Sequence, residues 1–113
     1  MTDRELLEAA AKAAGLSIYF DDIGQCCKRI PGDIATTWLW EPLEDDGDAL
    51  RLAVKLRLRV CTPTTDDDLA IASSGDVRST GHVNAYSDEK IKNIYAATRS
   101  AIVRAAAEMG SKS

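Results

Sequence analysis

The stretch from Trp38 to Leu56 constrains the fold more than any other. It carries both tryptophans of the chain, then five acids (Glu41, Glu44, Asp45, Asp46, Asp48), then an apolar run broken only by Arg51 and Lys55. Pro42 disfavours helix at Glu41, so the approach is extended. Asp45 or Asp46 can accept hydrogen bonds from the first free amides of a helix. The acids ahead and the four bases behind (Arg51, Lys55, Arg57, Arg59) complement a helix macrodipole. Together these features predict a helix over residues 46–56. Asp48, Arg51 and Lys55 share one narrow face, and Ala49, Leu50, Leu52, Ala53, Val54 and Leu56 cover the rest. A helix apolar over most of its circumference is buried on most sides. This segment is therefore expected to be the central helix of the domain, with Leu50 and Val54 inside.

Two further helices flank it. Thr2 and Glu5 have the spacing of a capping box, and Gly15 stands where a left-handed cap belongs, which predicts a helix over 3–14. Leu6, Ala9, Ala10 and Ala13 form its stripe. Residues 88–109 repeat apolar side chains at helical spacing (Ile91, Ile94, Tyr95, Thr98, Ala101, Ile102, Ala105, Met109), with Gly110 as the stop. Between the helices the signals are those of strands. Leu16 to Phe20 is rich in β-formers. Pro31-Gly32-Asp33 is turn chemistry that either joins short strands near 26–30 and 34–39 or sits in a long loop. Leu56 to Cys61 alternates strictly, which reads as a half-buried strand with Arg57 and Arg59 on its outer face. Residues 69–72 and 77–83 read as a hairpin about Ser73-Ser74-Gly75-Asp76.

At 113 residues the chain is the size of one domain. Only 5% of it is aromatic, so the core must rest on aliphatic residues and alanine. The net charge of −4 disfavours non-specific binding to nucleic acid or anionic membrane. No apolar run approaches the ~20 residues that span a bilayer, and the first residues are polar and acidic, unlike a secretion signal. Three cysteines, an odd number, suit a reducing cytoplasm.

Each constellation with a chemical reading also has a structural one. Asp45-Asp46-Gly47-Asp48 has calcium-loop composition but not its spacing, since position twelve is Leu56; capping is the expected role. Asp66-Asp67-Asp68 would have to meet that cluster to hold two metals, and reads as a solvated loop. Cys26, Cys27, Cys61 and His82 lack the separated pairs of a zinc site, and the three cysteines read as buried or half-buried thiols. One histidine, with no oxyanion-loop signature, offers little for a cysteine nucleophile. Arg57 and Arg59 form the concentrated basic face, able to meet phosphate or an acidic partner. Trp38 and Trp40 straddle Leu39 and would share a strand face, as interface anchors or, more in keeping with so few aromatics, as core.

Trp40-x-Pro42-Leu43-x-Asp45-Asp46-Gly47-Asp48-Ala49-Leu50-Arg51-Leu52-Ala53-Val54-Lys55-Leu56 resembles the phage ABA sandwich domain family. The run from Ala96 to Gly110 and the run from Glu5 to Gly15 resemble it too. Glu41 departs from the Asn usual between Trp and Pro in that family. Arg57 stands where a Gly commonly ends the helix, which argues against a left-handed cap there. The resemblance implies a helix–sheet–helix sandwich with an antiparallel sheet, encoded by a phage or prophage, and it brings no activity or catalytic residues.

The expected fold is thus α+β: an alpha-beta-alpha sandwich of three helices on a small antiparallel sheet of about four strands. The expected function is that of a small phage or prophage accessory protein, non-enzymatic, in the cytoplasm of a bacterial host. It would bind another phage or host protein, or itself, without a metal or cofactor. Arg57, Arg59, Trp38 and Trp40 are the candidate contacts, and partner specificity is expected in residues 21–37 and 62–87. The alternative is a nucleic-acid-associated protein using the basic face. A metal-assisted hydrolase using the aspartates is a third reading.

Overall fold

Alanine sets how closely two helices can approach, and in this protein two alanine-rich helices meet at the middle. The computed structural model describes residues 2–30, 33–62, 70–74, 83–86 and 94–111. Helix α1 spans Asp3–Ala14 and α3 spans Ile94–Ser111. Helix α3 buries Ala97, Ala101, Ile102, Val103, Ala105, Ala106, Ala107 and Gly110, which lie nearly all round its circumference. It touches α1, α2 (Asp46–Lys55) and the three strands of one sheet. Gly110 does not end this helix, as its sequence position suggests. It lies inside the last turn, where a Cβ would overlap the Ala9 carbonyl oxygen of α1 and stand 2.8 Å from its carbon. Glycine is required there because two backbones touch.

The α+β architecture expected from the sequence is present, with the strands divided between two antiparallel sheets. Strands β1 (Ile18–Phe20), β2 (Cys26–Ile30) and β3 (Asp33–Leu39) form one, in that order. Of the two readings open for residues 25–41, the structure takes the paired strands, with a register shift between Lys28 and Ile30. Strands β4 (Arg59–Cys61), β5 (Ile71–Ser74) and β6 (Val83–Tyr86) form the other, also in chain order. Residues 77–82, expected as strand, lie outside the described residues, as do 88–93 of the third helix. Val60, Ala72 and Ala85 pair across the second sheet in one row, and Ala72 and Ala85 are buried. One hydrophobic cluster joins this sheet, Cys26 and Trp40 beside the first sheet, and all three helices.

Helix α2 is not the central helix. Its buried residues are Asp48, Ala49, Leu52 and Ala53. Leu50 is 64% exposed and Val54 68%. The apolar circumference does not decide the buried side, because a carboxylate with the right partners can point inward. Asp48, only 7% exposed, accepts hydrogen bonds from the Glu41 amide at 2.9 Å and from Arg51 Nη2 at 3.0 Å. The central position belongs to α3.

Both α1 and α2 finish the same way. After α1, Gly15 (φ 71°) donates its amide to the Lys12 carbonyl at 3.2 Å, and Leu16 donates to Ala11 at 2.9 Å. After α2, Arg57 (φ 56°) donates to Val54 at 3.1 Å and Leu58 to Ala53 at 2.9 Å. These are Schellman caps. The left-handed cap that Arg57 was expected to prevent is therefore made with arginine in it. The cap also delays the strand to Arg59, so Arg57 and Arg59 do not share a strand face.

Candidate functional site

The acids at the start of α2 are fully engaged in building it. Asp45 is the N-cap, accepting the Asp48 amide at 2.8 Å. Asp46 forms an ion pair with Arg99 of α3. Arg99, largely buried, also donates from Nε to the Leu43 carbonyl at 3.0 Å. This one guanidinium thereby ties the α2 approach to α3. Among the described residues no three His, Cys, Asp or Glu side chains converge as metal ligands would. His82 and Asp66-Asp67-Asp68 lie outside the described residues.

Beside that tie, residues of α2, α3 and β4 line a cleft of about 500 Å³. Ala49 and Leu50 form one wall, Ile94, Tyr95 and Ile102 the other, and Val60 of β4 lies at its base. Asp46, Arg99 and Thr98 supply its polar edge. Thr98 donates its hydroxyl to the Ile94 carbonyl at 2.7 Å, which turns that group away from a ligand. Leu50, Ile94 and Tyr95 line the cleft and are exposed large hydrophobic residues, and exposed Val54 follows Leu50 by one turn of α2. Ile94 and Tyr95 were expected in the core stripe of the third helix. They line the cleft instead, 44% and 64% exposed.

The four candidate contacts fall apart in space. Trp40 follows β3, donates its amide to the Cys26 carbonyl at 2.9 Å and is buried at 3% exposure. Trp38 stands opposite Lys28 and is 44% exposed. Trp40 lies beyond the end of β3, so the two do not act as a pair on one strand face: Trp40 is core, and Trp38 reaches the margin beside a charged neighbour. Arg57 sits in the α2 cap and Arg59 opens β4, both exposed. Arg59 and Cys61 alternate with Val60 and so leave the sheet on the side away from the cleft. No family model matches this chain. No curated protein or solved structure resembles it closely enough to count as a match. The site is therefore defined by its own geometry.

The cysteines divide by environment. Cys26 and Cys27 are buried and Cys61 is exposed, so one of the three departs from the buried or half-buried state expected of them. Burial raises the Cys26 thiol to about 11, with lesser contributions from Cys27, Glu41 and Glu8. A neutral, apolar thiol of this kind is a packing group rather than a nucleophile. Sequence reasoning did not single out the Arg99 tie. The signal available was an arginine, Arg99, early in an alanine-rich segment whose one other base is Arg104. Of the segments expected to carry specificity, 21–25 forms a tight turn in which Asp21 Oδ1 accepts the amides of Ile23 and Gln25; residues 63–69 and 75–82 lie outside the described residues.

Proposed function

We propose that this protein is a small, non-enzymatic protein-binding module, and that it docks its partner on the apolar surface formed by α2 and the first turn of α3. The supporting observation is the exposure of Leu50, Val54, Ile94 and Tyr95 around a cleft of about 500 Å³. Contiguous exposed apolar surface of this kind is characteristic of interaction sites. Tyrosine at its edge suits an interface, since the ring offers contact area at low entropic cost. The resemblance to the phage ABA sandwich domain supports the further reading that it is a phage or prophage accessory protein acting in the host cytoplasm, on a phage or host protein or on a second copy of itself. Among the described residues no helix is long and apolar enough to cross a membrane.

The test is a photo-reactive side chain at Leu50, introduced in cells that carry the protein. It should cross-link to one protein species, and Tyr95→Ala should remove that product. Cross-links that form only from Arg57 or Arg59, or that attach nucleic acid, would replace this reading with the nucleic-acid one.

A further inference from the structure

The cleft has an asymmetric rim, and the asymmetry selects a partner. Successive residues of a helix are about 100° apart, so Leu50 and Val54 form a stripe along α2 with Arg51 and Lys55 beside it, on the side away from α3. Arg51 is held in place by Asp48 Oδ1 at 3.0 Å yet keeps a side chain that is 69% exposed. No carboxylate among the described residues pairs with Lys55. Arg51 and Lys55 thus set two bases beside Leu50 and Val54 in a chain whose net charge is −4. The apolar surface therefore lies against a local positive margin on an otherwise acidic protein.

Resting on the reading of this surface as a docking site, we infer that its occupant is an acidic amphipathic helix of a partner protein. Apolar side chains spaced i and i+4 would enter the cleft between Leu50 and Tyr95. Asp or Glu residues along one flank of the same helix would lie over Arg51 and Lys55. Helix-in-groove recognition uses this spacing of anchors, and the charged flank fixes which way the helix lies and speeds its arrival.

A helix-display library with randomised outward positions, panned against the full chain, tests this directly. Selected binders should combine i, i+4 apolar anchors with acids on one flank. They should fail to bind Leu50→Asp, and weaken about tenfold, mainly through slower association, on Lys55→Glu. Tyr95→Ala is the second variant should Leu50→Asp not fold. Binders that need Leu50 and Tyr95 but carry neutral or basic flanks, or ignore Lys55→Glu, would overturn the acidic helix and leave the docking surface standing. Binders indifferent to both Leu50→Asp and Tyr95→Ala, or a library that yields none, would overturn the inference.

Discussion

Arg57 occupies the left-handed region at a helix end, a conformation in which its Cβ crowds the backbone. The cap is kept because Leu58 and Leu56 on either side pack against the core, so the chain must turn there whatever residue occupies the position. Replacing Arg57 by glycine should remove the crowding and stabilise the protein by about 0.5–1 kcal/mol in denaturant melts. Destabilisation would show that the arginine side chain contributes more than its backbone costs. Cys26 is the second residue with a measurable signature. Its thiol is raised from 9.0 to about 11, so the folded state favours the neutral form. That contribution is complete below the ordinary thiol range and is lost as pH rises from about 9 through about 11. The stability difference between the wild type and Cys26→Ala should accordingly shrink over that interval, read from melts at each pH. In native buffer a thiol reagent should modify Cys61 alone, with Cys26 and Cys27 reacting only on unfolding.

Among the elements, α2 and α3 exchange the places that the sequence suggests. Leu52→Ala, at a buried site, should cost about 2–4 kcal/mol, while Leu50→Ala should cost less than about 0.5 kcal/mol. The reverse order in chemical denaturation would return α2 to the centre. Both N-caps and the bounds of α1 are legible in the residues, since Thr2, Glu5, Gly15 and Asp45 act on backbone within one turn of themselves. The strands on either side of residues 31–32 are legible only as one of two readings, since turn chemistry fits a hairpin and a loop alike. The buried side of α2 is not, because Asp48 is drawn inward by the Glu41 amide and Arg51, and only the folded chain brings the Glu41 amide to it. The cleft is equally hidden: Leu50 and Tyr95 are ordinary apolar residues until the fold sets them on one cleft. Gly110 is read as a helix stop because caps and close approaches both call for glycine, and only the neighbouring backbone tells them apart.

For the molecule as a whole, a single cluster of buried residues spans both sheets and all three helices. Such a core should unfold in one step. Tryptophan fluorescence, which follows Trp40 at the first sheet, and far-ultraviolet dichroism, dominated by the helices, should give coincident midpoints; two separate transitions would divide the domain. Gly110→Ala should lower that shared midpoint by an amount equivalent to about 2–3 kcal/mol, since the added methyl meets backbone rather than a side chain that can turn aside. The contact also bears on how the gene can vary. Every codon change that replaces Gly110 adds at least one carbon where none fits, so nearly all such alleles should be lost to selection for folding. At Leu50 and Val54 the fold imposes no comparable filter, and drift there is restrained only by whatever the surface must hold. A library of all single substitutions, sorted first for folded protein, should therefore leave position 110 almost blank and positions 50 and 54 nearly full.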